Sequence, residues 1–333
     1  MKVLLVLASR GVGGLEKHTL ELSEGLCSKG VEVHLLAPQN LCQLVANPKI
    51  KVHHFEFDKS RYHPIQLLNI YKLIRKINPD LVHYQANKAA QIGGLLSKFL
   101  TIPAVCTIHN LKKHLSFLKS YKSAIAVSRN VAQNFPEATN PVIIYNGIQK
   151  DSSKLDSDLK NNSEDSTQWI SIGRLVDAKG FDILLSAFTK VPGTLKIVGD
   201  GPLRQDLINL CNNYKLHDRV QFLGQRDDVI ELLQDSDICV VSSRNEGFSY
   251  VIAEALVHQI PVISTNVPVA NEFFSAEKIC PVGDAEALSE LMCRATQNNL
   301  DYSNEFTFAS ENFTLEAMVR KTFDHYKILI ELK

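Results

Sequence analysis

Apolar residues along this 333-residue chain come in short, nearly unbroken runs separated by stretches of helical periodicity. In the first half the runs are KVLLVLA (2–8), VEVHLLA (31–37), LVHYQ (81–85), PAVCTIH (103–109), AIAVS (124–128) and PVIIYN (141–146). Runs that are apolar throughout, rather than alternating, predict parallel strands covered on both faces. Between the first two, LEKHTLELSEGLCSKG (15–30) predicts a helix with Leu15, Leu20, Leu22 and Leu26 on its buried face and Gly30 as its stop. The pattern restarts with WISIGR (169–174), TLKIVGD (194–200), VQFLG (220–224), DICVVSS (237–243) and PVIST (261–265), and a helix-rich tail follows. Strands and helices alternating on both sides of one break predict an α/β protein with two parallel-sheet units.

The break is QKDSSKLDSDLKNNSEDST, 149–167, which has almost no apolar content and reads as a solvated linker. It divides the chain into an N-terminal domain, 1–150, a linker, 151–167, and a C-terminal domain, 168–312; a final helix of about 313–333 is expected to pack back on the first domain. Two such units imply a cleft, and open α/β sheets take ligands beyond the C-terminal ends of their strands. The residues directly after each strand are therefore the ones to read for chemistry.

Composition narrows the picture a little. Hydrophobic residues at 45% and charged residues at 22% describe a globular protein. The seven cysteines, at 27, 42, 106, 211, 239, 280 and 293, are scattered singly, which predicts reduced thiols and a cytoplasmic location rather than disulfides or zinc. MKVLLVLAS is too short an apolar run for a signal peptide, and no segment approaches the ~20 apolar residues of a membrane span. Net charge is zero but unevenly spread. Residues 1–150 carry 19 Lys and Arg against 8 Asp and Glu, and residues 151–333 carry 17 against 28. Halves of opposite sign point to different partners.

After the strands of the second half come Gly173-Arg174 with Lys179-Gly180, then Gly199-Asp200-Gly201-Pro202, then Glu246-Gly247-Phe248-Ser249 and Glu254. Arg174 and Lys179 are two cations beside one strand end; taken alone they read first as solvated surface charges, and with a ligand they would hold a phosphate. GDGP is equally good turn chemistry, with Pro202 at the first helical position. Between Glu246 and Glu254 a helix begins. Its bare N–H groups suit a phosphate, and the flanking carboxylates suit sugar hydroxyls, although the two glutamates taken alone read first as an ordinary solvated helix face.

In combination these stretches resemble the family 4 glycosyltransferases of bacterial cell-surface glycan type. SIGRLVDAKGFDILLSAF is similar to the family's GRL…KG segment, LKIVGDGPLRQDL to its GDGP turn, and EGFSYVIAE to its E-x7-E signature. PVGDAEALSELM, the Gly-Gly loop and first helix in GVGGLEKHTLELSEGLCSKGVEVHLLAP, and VIIYNGI extend the likeness over nearly the whole chain. The resemblance implies the GT-B fold, two Rossmann-like domains with parallel sheets facing across a cleft. It implies a retaining, hexosyltransferase-type enzyme that moves a sugar from a nucleotide-diphosphate sugar to a hydroxyl of a glycan or lipid-linked acceptor. UDP is the expected base, with GDP-mannose the next choice, and lipopolysaccharide or other polysaccharide synthesis the expected setting.

The resemblance also implies roles. Arg174 and Lys179 meet the donor diphosphate in place of a metal, so neither metal nor other cofactor is expected. Backbone amides around Ser249, Tyr250 and Val251 meet the phosphates, Gly247 and Phe248 join them in binding the donor, and Gly199, by its lack of a side chain, could let the ligand approach the backbone. Glu254 accepts from the ribose, and Glu246 sits beside the donor sugar. From the first half, His109 lies near that sugar, and Gly13 and Gly14 approach the diphosphate. The chain departs from the family at Gln149, where Asp is usual, at Tyr250, which is unusually large, and in STNVPVANEFF, which lacks a glycine pair but keeps Glu272. These departures bear on donor and acceptor identity.

A nicotinamide dehydrogenase fails because Glu16 stands where the fingerprint needs a third small residue, and LLAP ends strand two without an acid. Metal-binding DxD chemistry fails because Asp156/Asp158 lie in the linker and Asp235/Asp237 precede a strand. A sugar-nucleotide epimerase, or a non-catalytic nucleotide-sugar-binding subunit, stays open as the alternative. The basic first half, and HNLKKHLSFLKSYKS (109–123) read as a basic amphipathic helix, point to an anionic acceptor and reversible docking on the inner leaflet. The bland alternative is a solvated helix packed on the core. No nucleic-acid partner is expected.

Overall fold

A computed structural model describes residues 1–9, 11, 13–110, 115–137, 139–150, 167–297 and 300–332. The linker 151–166, with Asp156 and Asp158, lies outside them. The chain forms two units: residues 1–147 with 312–333, and residues 148–311.

Unit 1 is built on seven parallel strands, β1 (Lys2–Leu7), β2 (Glu32–Ala37), β3 (Lys51–His54), β4 (Leu81–Gln85), β5 (Ala104–Ile108), β6 (Ala124–Ala126) and β7 (Pro141–Ile143). They lie in the order β3-β2-β1-β4-β5-β6-β7. From β1 the chain first winds outward through β2 and β3, then returns to β4 on the other side. That reversal opens a crevice at the C-terminal ends of β1 and β4. The six apolar runs of the first half are all strands. β3 was not among them: Lys51, Val52 and His54 are exposed and give no apolar run. It is a short charged edge strand, which blunts the sheet against further pairing. At the opposite edge β7 opens with Pro141, a residue tolerated where one N–H is not needed.

The helix Gly14–Ser28 covers the sheet with its four leucines packed on the core, and polar residues share the buried face. Glu16, His18, Thr19, Leu22, Ser23 and Leu26 are buried, while Leu15 and Leu20 are half-buried. The helix Leu315–Glu331 belongs to unit 1 and lies against it so closely that a Cβ on Gly25 would sit 2.3 Å from Val319 Cγ2. Met318, Val319, Tyr326 and Leu329 of that helix share a core with Val3, Leu5, Leu22 and Leu26.

The basic segment 109–123 is not a continuous helix. Residues 111–114 lie outside the described residues, and Ser116–Ser120 is a single 3-10 turn. Leu118 is buried beneath it, and the Tyr121 hydroxyl donates to the Ala90 carbonyl oxygen. These two anchors hold the turn Ser116–Ser120 across the helix Ala86–Leu96.

Unit 2 repeats the plan with six parallel strands, β8 (Gln168–Ile172), β9 (Thr194–Val198), β10 (Val220–Gly224), β11 (Ile238–Val241), β12 (Val262–Thr265) and β13 (Ile279–Cys280), ordered β10-β9-β8-β11-β12-β13. Its reversal falls between β8 and β11. β13, two residues at the sheet edge, was again too short to stand out. Trp169, Phe181, Phe188 and Leu195 are among the side chains at the centre of its core. No helix among the described residues is long and apolar enough to cross a membrane.

Candidate active site

In unit 2 the loops at the sheet reversal come together because two glycines allow it. Gly180 has φ +63, and a Cβ there would lie 2.2 Å from the Ser242 carbonyl oxygen beyond β11. Gly199 has φ +132, and a Cβ there would lie 2.0 Å from the Gly173 carbonyl oxygen beyond β8. No other L-residue fits at either place. The first contact seats the 3-10 turn Asp177–Lys179 on the loop after β11, where the Ser242 hydroxyl donates to the Lys179 carbonyl oxygen at 3.0 Å. Arg244 fastens the same junction with two hydrogen bonds to Asp182, at 2.7 and 2.6 Å. The guanidinium holds the Asp182 carboxyl below its ordinary range.

This scaffold presents two cations differently. The Arg174 side chain is exposed and makes no hydrogen bond or ion pair among the described residues. Lys179 donates from Nζ to Glu246 Oε1 at 2.5 Å, and the same carboxylate oxygen accepts from Ser243 Oγ at 2.8 Å. Three residues beyond Glu246, Ser249 caps the helix Tyr250–Val257. Its side chain does not accept from the helix amides, and its Oγ is buried without a hydrogen-bond partner. A polar atom so placed at a helix N-terminus lacks an acceptor that an anionic ligand would supply. Gly247, Phe248 and Val251 are buried around it, and the large Tyr250 is half-buried edge-on to Phe248. Glu254, half-buried on the second turn, is close enough to reinforce burial in raising the Cys239 thiol.

Beyond β12 the missing glycine pair has a structural counterpart. Val269, fully buried, holds φ +79 and ψ −58. That is a conformation glycine adopts freely and a β-branched residue only under strain. The backbone thus keeps a glycine's shape without the glycine.

In unit 1, Gly13 caps the helix Gly14–Ser28 in extended conformation, so the helix begins directly beyond the β1 loop. Glu16 folds back under that loop, accepting from Ser9 Oγ, and a Cβ on Gly13 would meet its carboxylate at 3.4 Å. His109, one residue past β5, is buried and packs edge-on against His18 with ring centroids 4.7 Å apart. His109 Nε2 bonds Gln85 Oε1 at 3.1 Å. Behind them His83 bonds the Tyr326 hydroxyl at 2.5 Å and Thr107 Oγ1 at 2.7 Å. Burial keeps all three histidines neutral: His18 is lowered to about 4, and His83 and His109 lie well below the ordinary imidazole value. Neither ring nitrogen of His18 makes a well-formed hydrogen bond, although Asn146 lies beside the ring, and Asn146 Oδ1 is buried without a partner.

Arg174, Lys179, Gly199, Glu246 and the helix start at Ser249 thus gather at the reversal of one sheet; Gly13, Gly14 and His109 gather at the reversal of the other. His18, Gln85 and Asn146 were not singled out from the sequence. The one available signal was polar residues at alternate positions, His83 and Gln85, inside an otherwise apolar strand. No group of three or more His, Cys, Asp and Glu side chains among the described residues is placed to hold a metal ion.

The family described as Glycosyl transferases group 1 matches residues 153–312, and that described as Glycosyltransferase Family 4 matches residues 12–152. An uncharacterized glycosyltransferase of Methanocaldococcus jannaschii is 27% identical, the match covering 89% of this chain and 91% of that protein. The lipopolysaccharide core biosynthesis glycosyltransferase LpsE of Rhizobium meliloti is 24% identical, with 86% of each chain covered. The crystal structure of Anabaena HepE in complex with UDP and glucose superposes with a TM-score of 0.79 at 20% identity, covering 98% of this chain and 100% of that one. The fold is therefore GT-B.

Proposed function

Because the chain belongs to the family 4 glycosyltransferases, we propose that it moves a sugar, with retention of configuration, from a nucleotide-diphosphate sugar to a hydroxyl of a cell-surface glycan or its lipid-linked precursor. The observation that carries the donor half is the anion site of unit 2: an unpaired Arg174, a Lys179 held by Glu246, and a helix N-terminus whose capping Ser249 Oγ has no partner. HepE binds UDP and glucose, and UDP is the base proposed here.

In the proposed reaction the bond from the anomeric carbon to the diphosphate oxygen breaks as the bond to the acceptor oxygen forms on the same face. The departing phosphate oxygen takes the acceptor's proton, so no protein nucleophile is consumed. Arg174, Lys179 and the helix amides stabilise the developing charge. A diphosphate entering this site draws Lys179 away from Glu246, which frees the carboxylate for the sugar. Glu254 takes the ribose, and His109 the sugar. Metal is not required.

The acceptor is proposed to be anionic and held at a membrane surface, which the surplus of cations in residues 1–150 favours. Incubating the protein with UDP-sugars and a lipopolysaccharide-type acceptor in excess EDTA tests the enzymatic reading. Transfer that persists supports it, and activity strictly dependent on added Mg²⁺ or Mn²⁺ overturns the metal-free mechanism. Sedimentation with anionic vesicles tests the membrane reading: binding should fall steeply from low to moderate salt, and indifference to lipid charge would favour a soluble acceptor.

A further inference from the structure

The interior of unit 1 places an amide where it decides which hydrogen-bonding face His109 can show. Gln85, the last residue of β4, is almost fully buried, and its Oε1 lies 3.1 Å from His109 Nε2. A carbonyl oxygen can only accept, so this bond requires the proton on Nε2. In a neutral ring the other nitrogen, Nδ1, is then a bare lone pair. It has no hydrogen-bond partner among the described residues.

The surroundings match that polarity. Asn146 Oδ1 is another buried acceptor, and it lies beside the His18 ring, which is neutral and interacts with it without a well-formed hydrogen bond. The interior beside His109 is thus lined by neutral groups able to take part in hydrogen bonds. The side chains that face His109 from neighbouring elements are His18 from the first helix, and Gln85 and His83 from β4, with Thr107 and Tyr326 behind. None of them carries a positive charge when its ring is neutral.

We propose that Gln85 is a positioning residue that fixes His109 as a hydrogen-bond acceptor, and that His109 with His18 and Asn146 forms a neutral notch selecting a hydroxyl-bearing sugar over one carrying a carboxylate. A hydroxyl can donate into Nδ1 or Asn146 Oδ1. A carboxylate cannot donate to either and finds no cation in the notch. The donor is accordingly a neutral sugar nucleotide rather than a uronic acid one. This selectivity rests on the nucleotide-sugar reading above; the state of the imidazole does not.

Two measurements on the full chain separate them. Long-range ¹H–¹⁵N spectra should show His109 neutral and protonated at Nε2 from pH 6 to 8, whereas Gln85→Glu, which places a carboxylate against Nε2, should convert it to imidazolium. Calorimetry should show UDP-glucose, UDP-galactose or UDP-N-acetylglucosamine binding about tenfold or more tightly than UDP-glucuronate. Gln85→Glu should narrow that ratio while leaving free UDP affinity unchanged, a pattern that mere loss of packing would not give. A wild-type His109 that is protonated at Nδ1, or charged, overturns the proposal, as does UDP-glucuronate binding as tightly as the neutral sugars. Failure of UDP itself to bind would instead sink the donor reading, and the spectra would still decide the role of Gln85.

Discussion

The two units share one topology and differ in what they place at its reversal point. Unit 2 sets charges there: Arg174, Lys179, Glu246, and the Arg244–Asp182 pair that braces them. Unit 1 sets neutral imidazoles and amides: His18, His83, His109, Gln85 and Asn146. Phosphates call for charge and bare amides, while sugar hydroxyls call for neutral groups that can both give and accept. A doubled scaffold has thus been equipped for two kinds of polarity.

The largest test of this contrast removes the charge. Arg174→Ala or Lys179→Ala should lower kcat/KM by about 100-fold or more in steady-state assays, because each deletes stabilisation of the leaving diphosphate. Loss of only twofold would make them solvated surface residues after all. The two glutamates should separate next. Glu246→Gln is expected to cut kcat about tenfold or more while free UDP affinity holds or rises, because Lys179 loses its competing partner. Glu254→Ala should instead weaken UDP itself, and equal losses of UDP affinity in both variants would cancel the assignment.

Acid should tell the units apart without any ligand. His18 has its folded value lowered from 6.5 to about 4 by burial, so between those values the unfolded chain binds the proton more readily. Stability is present above pH 6.5 and lost as pH falls toward 4, by about 3 kcal/mol from this ring alone. His83 and His109 act in the same direction. Asp182 of unit 2 has a lowered value through Arg244, so its contribution persists across this window and fades only below the ordinary carboxylate range. Hydrogen exchange at pH 7 and pH 5 should show protection falling in β1, β4 and β5 but holding in β8 and β11. His18→Leu should flatten the pH dependence of unit 1.

The smallest effect is at Val269. Relief of about 1–3 kcal/mol of backbone strain should nearly offset the side-chain burial lost on Val269→Gly, leaving a net change under about 1 kcal/mol. The same change at Val240, buried in a regular strand, should cost about 3 kcal/mol or more by denaturant titration.

Much of the fold was legible because buried parallel strands are written as local apolar runs. β3 and β13 escaped, since short edge strands need no apolar run. The charged half of the site was legible because Arg174, Lys179, Glu246 and Glu254 lie in compact motifs after two strands. The neutral half was not. Gln85 is 24 residues from His109, and Asn146 lies farther along the chain still, and no local pattern announces that a sheet will join them. The first helix shows the same limit: periodicity marks its leucines, which do pack on the core, but not the buried Glu16, His18, Thr19 and Ser23 beside them.

The contact between β4 and the last helix also bears on the order in which the protein can be made. His83 and Tyr326 are hydrogen-bonded across 243 residues of sequence, and Met318, Val319 and Leu329 complete the core to which β1 contributes. During synthesis the whole of unit 2 leaves the ribosome before those side chains exist. Unit 1 must therefore wait, its sheet partly uncovered and His83 lacking one partner, until the helix Leu315–Glu331 arrives. The half that is translated first is the half that finishes last.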